Sequence, residues 1–96
     1  MDKELLELAA KACGLEEAKM RIEFNQWNPI EDDGDALRLA VQLQIIVGRY
    51  DNYVNAAPLH DGAKEIVIWS HNEKDPYAAT RRAIVRAAAE IGRSMK

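Results

Sequence analysis

Apolar and polar positions along this chain change their spacing from one segment to the next, and the changes mark out its elements. Over residues 3–13, Leu5, Leu8, Ala9 and Ala12 recur at helical intervals while Glu4, Glu7 and Lys11 take the other side, which predicts an amphipathic helix. Asp2 can cap this helix and Gly14 can end it. Residues 18–24 alternate, with Met20, Ile22 and Phe24 against Lys19, Arg21 and Glu23, as in a half-buried strand. A polar loop runs from Asn25 to Asp35, where Pro29 turns Asn28 away from helical geometry. Residues 33–43 regain the helical period. Their apolar arc of Ala36, Leu37, Leu39, Ala40, Val41 and Leu43 is wide, and only Arg38 and Gln42 clearly face outward, so deep packing is expected.

The second half reads as strands and then a helix. Residues 45–50 and 53–56 are two strands joined by the turn pair Asp51-Asn52. Residues 65–70 are β-branched, aromatic and mostly apolar, the composition of a central strand. Residues 76–91 form a helix that Asp75 caps, with Pro76 at the first helical position, where its missing N–H costs nothing. Tyr77, Thr80, Ile84, Ala88, Ile91 and Met95 share one face of it, and Arg82, Arg86 and Arg93 lie roughly opposite. The expected order is α-β-α-β-β-β-α. It describes one α/β (α+β) domain over residues 1–96, a small two- or three-layer α/β/α sandwich. Its sheet is mainly antiparallel, because the connections between residues 45 and 70 are too short for helical crossovers.

Composition narrows the functional classes. Ninety-six residues at 48% hydrophobic content support a single thin core. A net charge of −3 and a pI near 5.3 argue against bulk attraction to nucleic acid or to an anionic membrane. No apolar run is long enough to span a bilayer, and Met1-Asp2-Lys3-Glu4 lacks the apolar centre of a signal peptide. The single cysteine, Cys13, excludes an internal disulfide, fits a reducing cytoplasm and reads as a small buried hydrophobe.

Reactive chemistry is hard to find. Glu31, Asp32, Asp33 and Asp35 crowd one helix start, but no acid follows at the twelfth loop position that a calcium-binding EF-hand needs; capping and dipole compensation explain them. His60 and His71 lack metal-ligand spacing, and His71 is the more notable of the two because it lies between a strand and a capped helix. There is no nucleophile elbow and no glycine-rich phosphate loop. No catalytic residue, metal or cofactor is therefore expected. The basic stripe of the last helix reads as a solvated face, since Glu90 follows Arg86 by four residues. Arg81 differs: about 40° from Tyr77 on the wheel, it must snorkel, pair with a carboxylate or hold an anion. Trp27 and Trp69 pack or stack, and a loop tryptophan beside amides and carboxylates suits a ring-binding site.

Trp27-Asn28-Pro29, the segment from Asp32 to Ala40, and Asp75-Pro76 leading into an alanine- and arginine-rich helix resemble small phage-encoded proteins of the phage ABA-sandwich type. The similarity extends over roughly residues 1–93, firmest at the two capped helices and only in outline from Gln44 to Ser70. It implies α/β/α layering, phage origin and action in the cytoplasm of a bacterial host. By analogy of class, it also implies a counter-defence factor that binds and sequesters a small anionic nucleotide signal. The candidate ligand-binding residues are Trp27, Asn28, Asp33, Trp69, His71, Tyr77 and Arg81, in a site shared within a homo-oligomer. Nucleic acid and membrane are not expected partners. The alternative is a protein–protein module that inhibits or adapts a host or phage protein; a small hydrolase ranks third.

Overall fold

The computed structural model describes residues 2–15, 17–59, 65–69 and 75–95. In chain order these form α1 (Asp2–Cys13), α2 (Ala18–Glu23), α3 (Asp33–Leu43), β1 (Ile45–Arg49), β2 (Tyr53–Pro58), β3 (Ile66–Trp69) and α4 (Pro76–Ser94). The expected small α+β sandwich with an antiparallel sheet is the fold adopted. One element differs in kind: residues 18–24, expected as a strand, hold the short helix α2. Every residue of α2 except Ile22 is a good helix former, and so brief an alternation does not exclude a helix. Its two flanks, Glu17 and Asn25, adopt positive φ and bound it tightly. Met20 and Phe24 are exposed, so they make no half-buried sheet face.

The two long helix starts follow from their caps. Asp32 Oδ2 accepts the Asp35 N–H at 2.7 Å, and Asp75 Oδ1 accepts the N–H groups of Tyr77 at 2.9 Å and Ala78 at 3.3 Å. Each cap contributes about 1 kcal/mol. α3 ends where Gln44 turns left-handed, at φ 55°, and its N–H reaches the carbonyls of Ala40 and Val41. That turn delivers the chain straight into β1.

The sheet order is β1-β2-β3, antiparallel throughout, with Val47 opposite Ala56, Arg49 opposite Val54 and Tyr53 opposite Trp69. Tyr50 N–H donates to the Tyr53 carbonyl at 2.9 Å across the Asp51-Asn52 turn, and the two tyrosine rings stack with centroids 4.6 Å apart. The expectation that residues 65–70 are central is corrected: β2 lies in the middle and β3 at an edge of the described sheet. Consecutive strands of a meander place the second one centrally, whatever the propensity of the third. Val54 and Ala56, both fully buried, occupy that centre beneath α4.

α4 is the hub. The sheet packs on one side of it, α1 on another, and α3 runs alongside. Ala79, Ala83, Ile84, Val85 and Ala87 to Ala89 are all buried, a wider burial than one amphipathic face provides. Tyr77 and Met95, expected on the packed face, project beyond the core at its two ends and are exposed. α1 meets α4 through Leu6, Ala9 and Ala10, so its contact face is rotated from the one the spacing predicts, and Leu8 is only half-buried. The backbones approach closely: a Cβ on Gly92 would lie 2.0 Å from the Leu8 carbonyl oxygen. Lys11 Nζ donates to the Met95 carbonyl at 3.0 Å, and Gln42 Nε2 to that of Cys13 at 2.7 Å.

α3 is less deeply packed than its apolar arc predicts. Ala36, Leu39 and Ala40 are buried, while Leu37 and Val41 are 64% and 69% exposed. A single flank of packing covers about half of so wide an arc. Cys13, expected as a small buried hydrophobe, is only half-buried; its Sγ donates to the Ala10 carbonyl at 3.5 Å, and burial pushes the thiol pKa up, which keeps the less reactive protonated form. Among the described residues, no helix is long and apolar enough to cross a membrane.

Candidate functional site

The polar loop before α3 is shaped by Asn28 and Pro29. Asn28 Oδ1 accepts the N–H groups of Ile30 at 3.1 Å and Glu31 at 3.3 Å, and its own N–H donates to Asp35 Oδ2 at 2.9 Å. Asp35 Oδ1 in turn holds Arg38 at 2.7 Å. Pro29 is fully buried, and Trp27 packs half-buried against the core. The result is a hydrogen-bonded loop with the Ile30 carbonyl aimed at α4.

Arg81 takes that carbonyl. Its Nε donates to Ile30 O at 2.7 Å, and a guanidinium nitrogen donates to Asp33 Oδ1 at 2.6 Å. The arginine side chain is only 16% exposed, against 69% for Asp33. One planar fork therefore ties α4 to both the loop and the first turn of α3, a geometry that lysine cannot reproduce.

Beside this tie opens a groove of about 550 Å³. α3 supplies Asp33, Ala36 and Leu37, β1 supplies Arg49, and α4 supplies Pro76, Tyr77, Thr80, Arg81 and Ile84. Ala36 and Ile84 make an apolar floor, and the exposed side chains of Leu37 and Tyr77 stand at the rim. Thr80 Oγ1 donates to the Pro76 carbonyl at 2.8 Å. Arg49 is exposed and makes no ion pair among the described residues. Asp33, Arg49 and Arg81 together leave the lining one positive charge in excess. The groove thus offers apolar area, an aromatic ring, a cation with no ion pair among the described residues and a hydroxyl, in a volume typical of small-molecule sites.

Of the residues expected to bind ligand, the fold gathers Asp33, Tyr77 and Arg81 at this groove. Trp27 and Asn28 do not line it; they shape the loop that positions Arg81. Asn28 lines a separate polar pocket of about 500 Å³ with Asn25, Gln26, Glu31, Asp32, Asp35 and Arg38, and no described cluster there or elsewhere has the donors for a metal ion. Trp69 ends β3, and His71, like His60, lies outside the described residues. Sequence reasoning missed Arg49, Leu37, Thr80 and Ile84 as lining residues. The over-wide arc of α3 was the one signal for Leu37; Arg49 carries none, because its place depends on where β1 ends against α4.

No known protein family, curated protein or solved structure matches this chain.

Proposed function

We propose that this chain is a non-catalytic binding protein whose groove between α3, α4 and β1 holds a small anionic, nucleotide-like ligand. The observation that carries the reading is that Arg49, a cation with no ion pair among the described residues, and the exposed ring of Tyr77 line the same groove over an apolar floor. A flat base stacks on Tyr77 and Leu37, and its phosphate reaches Arg49. Arg81 is committed to Asp33 and Ile30 and acts as a positioning residue for the groove. The first N–H groups of α4 are already taken by Asp75, so the helix start contributes little to anion binding. The resemblance to phage ABA-sandwich proteins supplies a setting for this reading: a phage factor that sequesters a host immune signal in the bacterial cytoplasm. A second reading, a module that docks on a protein, is favoured by Leu37 and Val41, whose exposed side chains continue past the groove along α3.

Thermal denaturation against cyclic dinucleotides and cyclic ADP-ribose isomers tests the first reading. A true ligand at 100 times its Kd stabilises by about 2.7 kcal/mol, roughly 10–20 °C for a domain of this size. Arg49→Ala keeps the ligand-free melting temperature and lowers affinity about tenfold or more. A silent panel, or a ligand that Arg49→Ala binds as tightly as the parent, contradicts the reading.

A further inference from the structure

We infer that the stacked rings of Tyr50 and Tyr53 act as positioning residues for Arg49, holding it over the groove from the opposite face of the sheet. The inference rests on the groove being the working site, and it names what keeps the groove's cation in place. Arg49 is the last residue of β1, an edge strand of the described sheet, and such strand ends open at low cost. Its register partner is Val54, fully buried beneath α4, so the arginine projects on the α4 side, where it lines the groove. No ion pair among the described residues anchors it there. The bracing of this strand end comes from the other face.

Tyr50 follows Arg49 directly and joins β2 twice. Its N–H donates to the Tyr53 carbonyl at 2.9 Å, and the two rings stack with centroids 4.6 Å apart and planes 15° from parallel. Gly48, which precedes Arg49, makes room for that ring. A Cβ on Gly48 would lie 3.0 Å from Tyr50 Cε2 and 3.2 Å from its hydroxyl oxygen, so the ring folds back over the glycine. The same Cβ would lie 2.5 Å from the Oδ1 of Asn55, the register partner of Gly48. Asn55 Nδ2 donates to Glu65 Oε2 at 2.7 Å, which carries the bracing on to the residue before β3. The residues on both sides of Arg49 are thus clamped to β2. An arginine on a clamped strand loses less conformational freedom on meeting a phosphate than one on a frayed end. Tyr50 is 49% exposed, so replacing it opens no cavity in the core.

Nitrogen-15 relaxation and amide exchange of the full chain, free of ligand, test this first. The Arg49 amide has an order parameter of about 0.85 in the parent, and Tyr50→Ala lowers it below about 0.6. The amide proton of residue 50 exchanges about tenfold faster in that variant. Tyr50→Phe keeps the ring and behaves as the parent. Titration with cyclic di-AMP and the rest of the nucleotide panel reads the consequence. Tyr50→Ala weakens binding by about threefold to tenfold. In an Arg49→Ala background the same change alters affinity by less than about 1.5-fold, because the residue it positions is gone. An Arg49 as well ordered in Tyr50→Ala as in the parent overturns the inference, as does a loss of affinity that persists in full without Arg49. If nothing on the panel binds, the groove reading falls, and the relaxation data alone uphold or overturn the placement of Arg49.

Discussion

Gly92→Ala lowers stability by about 3 kcal/mol, roughly 15 °C in melting temperature. The new Cβ would lie 2.0 Å from the Leu8 carbonyl oxygen and 2.8 Å from its carbon. Both neighbours are backbone atoms, so no rotamer change relieves the overlap. α1 must lift away from α4 and loosen the buried contacts of Leu6, Ala9 and Ala10. Alanine's better helix propensity, worth about 1 kcal/mol, offsets only part of the loss. Gly34→Ala is the matched control. A Cβ there meets Asp32 Oδ2, the oxygen that caps α3, at 3.2 Å and the tip of Arg38 at 3.3 Å; side-chain atoms that need yield only a few tenths of an ångström limit the loss to at most the cap's roughly 1 kcal/mol. Denaturant titration of the two variants measures the difference. Equal stabilities would mean that α1 does not cross α4 at Leu8.

Arg81→Ala is the second large effect, with a loss of about 2 kcal/mol, within the range for hydrogen bonds made by charged groups. The substitution leaves the Ile30 carbonyl without its donor and frees α4 from the loop. Asp33→Asn costs less than about 1 kcal/mol, because that partner is solvent-exposed and screened. The double variant costs little more than Arg81→Ala alone, since both changes break one contact. Arg81→Lys falls between parent and alanine: an ammonium keeps the charge but cannot serve Ile30 and Asp33 with one fork. Thermal melts of the four proteins, read with the Arg49→Ala variant, separate two roles. Arg81 variants lose stability, and Arg49 variants lose affinity at unchanged stability. Arg81→Ala melting with the parent would show that the tie contributes nothing.

What the sequence disclosed divides along the reach of the interactions. The caps at Asp32 and Asp75 are local, a side chain meeting N–H groups two or three residues on, and they make the starts of α3 and α4 legible. The Asp51-Asn52 turn is legible for the same reason, and with it the hairpin of β1 and β2. Residues 18–24 mislead because alternation over so short a span carries no information beyond residue type, and the residue types there are helix formers. Leu37 and Val41 read as buried because a hydrophobic side chain announces no exposure; only the placement of α3 against one flank of α4 exposes them. Arg81 is marked by its closeness to Tyr77 on the wheel, yet its partner Asp33 lies 48 residues away and is visible only as one of several acids. Gly92 gives no sign at all, since its need arises from a helix more than eighty residues earlier in the chain.

The central claim is that the groove between α3, α4 and β1 is where this protein meets its ligand. An amide-resolved NMR titration of the full chain with the nucleotide panel tests it most directly. Binding should move the signals of Leu37, Arg49, Tyr77 and Thr80 together, in proportion to occupancy. A nucleotide that binds while those four stay still and signals elsewhere move would contradict it.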